Sequence, residues 1–230
     1  MNKIVLTNND ENFENLNAHL YRKIKEMIWN KILRPGEKIK QEHLAHELGV
    51  SRTPLIKALE RLTAERLLEY IPRRGYTVKK LTFDEMMEIF SVRIGLESVA
   101  VKEVIDKATA GEVEELKQYF KPFGGEWNKE KKRDYLLADQ QFHARLFEIA
   151  DNSLLTDINE MFNIYRFSYQ KGLMRAPEVT LSEHQEIIKQ IENRDVEKAQ
   201  LLMMEHLEKS RKDIRKVYES RLNSNGETNW

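Results

Sequence analysis

The chain contains no cysteine among its 230 residues. That excludes a disulfide framework and any thiolate metal site, so a bound metal must rely on nitrogen and oxygen donors. No apolar run approaches the ~18 residues needed to span a bilayer. The first fourteen residues are polar and acidic, which predicts that no secretory signal is present and places the protein in the cytoplasm. Internal repeats and low-complexity tracts are also lacking. Neither His-Glu-x-x-His nor Glu-x-x-His occurs, which removes the usual signatures of a zinc protease and of a di-iron bundle oxidase.

Net charge is absent as well, at +0, but that balance conceals an asymmetry. Between residues 15 and 80, 15 Lys and Arg face 7 Asp and Glu, a net of +8; from 81 onward 22 face 28, a net of −6. A basic segment joined to an acidic body suits a polyanion-binding module attached to a second unit. With 33% charged and 40% hydrophobic residues, slim helices with much solvent-facing surface are expected rather than one thick core.

In the basic segment, Leu16, Leu20, Ile24, Met27, Ile28 and Ile32 recur at helical spacing. Arg34-Pro35-Gly36 is expected to stop that helix. Gln41 to Leu48 forms a second helix ended by Gly49, and a third opens at Ser51, whose hydroxyl is placed to cap it. Leu67–Ile71 and Tyr76–Lys80, around Pro72-Arg73-Arg74-Gly75, read as a hairpin. Three helices and a basic-tipped hairpin outline a winged helix-turn-helix at 15–80, preceded by a flexible arm at 1–14.

Gly49-Val50-Ser51-Arg52-Thr53-Pro54 joins a tight turn to a helix whose first turn is polar and basic. That first turn is where a recognition helix meets base edges. Arg52 can pair with guanine O6 and N7; Ser51, Thr53 and the helix N-terminus suit phosphate contacts. This run resembles the GntR family of bacterial regulators, and the likeness continues through Ala58-Leu59 and Arg73-Arg74-Gly75-Tyr76. It implies double-stranded DNA as partner, with Ser51, Arg52, Thr53 and Lys57 in the reading helix and Arg73, Arg74 and Gly75 in a wing that enters the minor groove. Three positions depart from the pattern: Ile56 and Glu42 stand where members carry Arg, and Arg66 where Gly is frequent.

After Lys80 the chain is helical throughout, and helices are expected near 83–107, 110–120, 126–150, 153–174, up to about 193 and up to about 221. Capping boxes at Thr82/Glu85 and Thr109/Glu112 open the first two, Thr180-x-x-Glu183 opens the fifth, and Asp195 caps the sixth. The fold class is therefore mainly α: the winged unit, then a six-helix bundle at 81–221 and a frayed tail at 222–230.

Asp139 and His143, four apart, share one helix face among Leu136, Phe142 and Leu146. His184 and His206 fall on the inner parts of later helices. Three imidazoles and a carboxylate are a donor set for Zn²⁺, and equally for Ni²⁺, Mn²⁺ or Fe²⁺; by residue type alone they are also an ordinary hydrogen-bonded network. Asp139-Gln140-Gln141-Phe142-His143, His184-Gln185-Glu186-Ile187 and His206-Leu207 resemble the FCD effector domain of the FadR-like branch, in its shorter VanR-like form. That resemblance implies one divalent ion per chain on Asp139, His143, His184 and His206. It also implies a small carboxylate effector near Arg93, and a homodimer on a palindromic operator. Arg93 at i,i+4 from Glu97 also reads as a simple surface pair. Tyr165, Phe167 and Tyr169 are candidate cavity walls or plain core. A metal-dependent hydrolase and an architectural DNA binder with a structural ion are the competing functions.

Overall fold

The computed structural model describes residues 10–161 and 175–225. The chain divides into two compact units between Lys80 and Leu81.

In the first unit, α1 (Asp10–Trp29), α2 (Gln41–Leu48) and α3 (Arg52–Ala64) precede an antiparallel hairpin of β1 (Leu68–Ile71) and β2 (Gly75–Val78). Leu20, Ile24, Met27 and Ile28 of α1 and Leu55, Ala58, Leu59 and Leu62 of α3 are buried and build the core between the two helices. Lys38 bridges to Thr77, and Ile39 N–H donates to the Tyr76 carbonyl, so the segment before α2 adds a third extended piece beside β2.

Two boundaries differ from the sequence reading. Residues 10–14, expected in the flexible arm, are helical; the arm's first nine residues lie outside the described ones. At its other end α1 stops at Trp29, before Arg34-Pro35-Gly36. Lys31 takes φ 58°, its N–H bonds the Ile28 carbonyl, and the Ile32 N–H reaches back to Met27. This paired 6→1 and 5→2 closure satisfies the last carbonyls before the proline is reached. Ile32 consequently leaves the apolar stripe and is 61% exposed.

The same closure ends α2 at Gly49 (φ 69°) and α3 at Arg66 (φ 60°). Left-handed backbone is nearly free for glycine and costs an L-residue about 1–2 kcal/mol. The departure at Arg66 is thus an arginine placed where the turn favours glycine.

The second unit contains six helices among its described residues: α4 (Phe83–Lys107), α5 (Ala110–Gln118), α6 (Lys129–Ala150), α7 (Ser153–Met161), α8 (Pro177–Glu192) and α9 (Val196–Asn225). Both expected capping boxes, Thr82/Glu85 and Thr109/Glu112, are formed. Asp195 caps α9 through the Lys198 N–H. α6 begins three residues late because the Asn128 side chain, 2.8 Å from the Lys131 nitrogen, supplies its cap. α9 runs on to Asn225, so residues 222–225 of the expected tail are helical, and the remainder lies outside the described residues. So does the expected stretch of the fourth helix beyond Met161 up to residue 174, with Tyr165, Phe167 and Tyr169.

The fifth helix required a correction. It starts at Pro177, whose missing N–H would have no helical partner there, and not at Thr180. Thr180 and Glu183 therefore lie inside α8, released from capping. The core between α4, α6, α8 and α9 is apolar, with Val101, Val104, Phe142, Leu146, Ile187, Ile191 and Met203 buried. Met86, Phe90, Arg93, Glu97, Ala100 and Val104 follow one buried stripe along α4, and the two charged residues sit in mid-stripe.

Arg66→Gly should raise the unfolding free energy by about 1 kcal/mol, the relief of left-handed strain less the added chain entropy. Urea denaturation measures it, and a loss of stability would mean that Arg66 makes contacts worth more than its backbone costs.

Candidate functional site

Three helices of the second unit bring the candidate ligand residues together. α6 presents Asp139 and His143 on one buried face, α8 presents His184, and α9 presents His206. Each offers one ligand atom, and the four atoms lie within 4.8 Å of one another. His184 Nε2 stands 3.2 Å from His143 Nε2 and 3.3 Å from Asp139 Oδ1. The walls are aromatic: Phe120 stacks on the His184 ring at 4.5 Å, and Phe142 meets both His143 and His184 edge-on.

The opposite ring nitrogen of every histidine is engaged. His143 Nδ1 meets Glu97 Oε2 across α6 and α4. His206 Nδ1 meets Glu183 Oε2 at 2.8 Å across α9 and α8. His184 Nδ1 lies 2.9 Å from the Tyr135 hydroxyl, which in turn donates to Thr180 Oγ1 at 2.9 Å. A phenol that spends its hydrogen on Thr180 accepts from His184 Nδ1–H.

Electrostatics fix these roles. Burial works to raise the Glu97 carboxyl, but Arg93 and then His143 outweigh it and hold the group at about 2. Burial opposes ionisation of Glu183 too, yet hydrogen bonds from His206 and Arg175 keep it well below the usual carboxylate range. Both glutamates are therefore ionised and accept from Nδ1–H. His184 is driven well below its ordinary value by burial and then by His206, His143 and the two arginines. Burial also lowers His206 against the pull of Glu183. Burial, reinforced by Asp139, keeps the Tyr135 phenol protonated.

With Nδ1 engaged outward, the Nε2 atoms of the rings and an Asp139 oxygen turn inward on one another. Buried acceptors facing acceptors are unfavourable unless a cation lies between them. Two imidazole nitrogens, each bound ~2.0–2.1 Å from a shared tetrahedral zinc ion, stand ~3.3 Å apart. The donor set and the 3.2 Å spacing of His143 and His184 fit such an ion.

Arg93, expected either at a pocket or on the surface, is buried with Glu97 in an ion pair, side chains 5% and 0% exposed. The sequence reading missed Glu97, Glu183, Tyr135 and Arg175. For Glu97 a signal existed, since it falls on the buried stripe of α4. Glu183 was concealed by its resemblance to the end of a capping box.

In the first unit, Ser51, Arg52, Thr53 and Lys57 are exposed at the start of α3, while Pro54 and Leu55 point into the core. Ser51 occupies the cap position, but its side chain makes no cap hydrogen bond. At the hairpin tip, Arg74 N–H closes a turn onto the Ile71 carbonyl. Arg73 (φ 65°) and Gly75 (φ 86°) carry its left-handed backbone, and Arg73 and Arg74 are exposed.

Residues 16–78 match the model of the bacterial regulatory proteins of the gntR family, and residues 88–209 match the FCD domain. The chain belongs to the GntR family. An HTH-type transcriptional regulator of Bacillus subtilis, YdhC, is 31% identical over 86% of this chain and 91% of its own length. The HTH-type transcriptional repressor RspR of Escherichia coli is 23% identical over 88% and 90%. In fold, a GntR transcriptional regulator from Rhodococcus sp. RHA1 superimposes with a TM-score of 0.71 at 20% identity, covering 88% of this chain and 98% of that one. The chain is thus a transcriptional regulator of the GntR type with an FCD domain, and its family and relatives are regulators rather than enzymes. GntR helix-turn-helix units bind DNA. No helix among the described residues is long and apolar enough to cross a membrane.

Proposed function

We propose that this GntR regulator is a metabolite-responsive repressor whose helical unit holds one divalent metal ion and a small organic carboxylate. The observation that carries this reading is the buried convergence of Asp139, His143, His184 and His206 in a chain that also carries a GntR helix-turn-helix unit. These four residues would hold the ion, which when bound supplies a cationic anchor for an anion in the dry core. Zn²⁺ fits the donors, and Ni²⁺, Mn²⁺ or Fe²⁺ share them. Arg93 strengthens the preference for an anion, since it and Arg175 act electrostatically on the His184 ring. Effector and metal together favour one packing of the bundle, and that bias changes operator affinity.

On DNA, Arg52 reads a base from the start of α3. Ser51, Thr53 and Lys57 contact backbone phosphates, and Arg73, Arg74 and Gly75 carry the wing into the minor groove. A cytoplasmic homodimer on a palindromic operator completes the picture. Its support is an exposed apolar face: Val92, Gly95 and Val99 on α4, with Leu201 and Met204 on α9, brought side by side by the Gln200–Ser98 hydrogen bonds. The name of RspR supports repression over activation. A metal-dependent hydrolase gains nothing from the family, and a purely structural ion would leave DNA affinity indifferent to small acids. Titrating an organic-acid panel into metal-loaded protein on its operator separates these. One acid that shifts affinity supports the regulator, and a flat response across the panel contradicts it.

Arg52→Ala should weaken operator binding by about 1–3 kcal/mol while binding to random duplex changes little. Equal losses on both, read by fluorescence anisotropy, would make Arg52 a phosphate contact instead. His143→Ala and His206→Ala should each strip bound metal from the purified protein in elemental analysis. Full metal content in both variants would remove these residues from the ligand set.

A further inference from the structure

The two glutamates beside the histidines are built alike. Glu97 gives Oε1 to Arg93 and Oε2 to His143. Glu183 takes a two-pronged contact from Arg175, Nη2 to Oε1 at 2.8 Å and Nη1 to Oε2 at 2.5 Å, and turns Oε2 onto His206. Lys209 adds a further donor to Oε1 at 3.2 Å, and Asp213 lies on the far side of Arg175. Each chain reads arginine, glutamate, histidine. Each crosses between helices at the glutamate–histidine step, α4 to α6 and α8 to α9.

Core stability does not account for them. A buried ion pair is often matched or bettered by apolar side chains of the same volume, and Glu97 sits at 0% exposure on an otherwise apolar stripe. A carboxylate that accepts from Nδ1–H does something an apolar residue cannot: it fixes the ring's tautomer and direction and makes Nε2 a better donor to a metal. The arginine then holds the carboxylate away from the ion and neutralises it. Among the described residues, the third ring, His184, is backed at Nδ1 by the uncharged Tyr135–Thr180 chain.

We infer that Glu97 and Glu183 are the positioning residues of the metal centre, each clamped by its arginine, and that they set ion affinity through His143 and His206. Tyr135 orients His184 with a weaker hold. This rests on the reading of the cluster as a metal site, and it gives Arg93 a task, clamping Glu97, that is independent of any effector.

The test is the zinc dissociation constant of full-length, chelator-stripped protein, measured by competition with a chromophoric chelator at a temperature where circular dichroism shows every variant folded. Glu97→Gln and Glu183→Gln should each weaken zinc binding by about 10–100-fold, and Tyr135→Phe by clearly less. Glu183→Ala should be worse than Glu183→Gln, because the amide oxygen still accepts from Nδ1–H. Should Glu97→Gln fail to fold, the half-buried Glu183 pair of variants decides alone. A merely structural role would lower the melting temperature of the stripped protein and leave zinc affinity within about twofold of the parent, a result that overturns the inference. Absence of zinc binding by the parent itself would overturn the metal reading, and this inference with it.

Discussion

Three imidazole rings and an aspartate, turned inward on one another in an apolar core, are the constraint around which the helical unit is arranged. Buried acceptors that face only acceptors are costly, and the second unit places four of them within 4.8 Å. Burial alone would favour removing them. Instead, glutamates from α4 and α8 and a tyrosine from α6 engage each Nδ1, so that every ring points its Nε2 inward. An ion at the centre would convert this unfavourable convergence into a cross-link between α6, α8 and α9, and the fold would gain free energy with loading.

The same constraint explains where charge is allowed to be buried. In the helical unit Arg93 and Glu97 interrupt the apolar stripe of α4 beside His143, and the Arg175–Glu183 pair lies beside His206. Elsewhere, ion pairs such as Lys102–Asp106 and Lys117–Glu192 lie at the solvent-facing edges of the helices, where they contribute little.

The buried Asp/His cluster was legible because α-helical spacing acts locally. Asp139 and His143 four apart, among Phe142 and Leu146, could face only inward, and the reading helix announced itself through Gly49-Val50-Ser51-Arg52-Thr53-Pro54. The fold class and the capping boxes followed from local hydrogen-bond chemistry in the same way. What escaped depends on partners far away in sequence. Glu97 finds His143 across 46 residues, and Tyr135 finds His184 across 49. No periodicity encodes such a pairing. Helix ends misled where two chemistries competed: Thr180 and Glu183 had the form of a cap, but Pro177 started the helix a turn earlier and left both for the site. At Lys31 and Arg66 the backbone turned left-handed without the glycine that would have signalled it.

X-ray absorption at the edge of the metal carried by the purified full-length chain bears most directly on this account. It predicts a single shell of light donors near ~2.0–2.1 Å for zinc, with the outer-shell scattering of three imidazole rings. A spectrum lacking imidazole scattering, or a chain that carries no metal when expressed with zinc in excess, would contradict it.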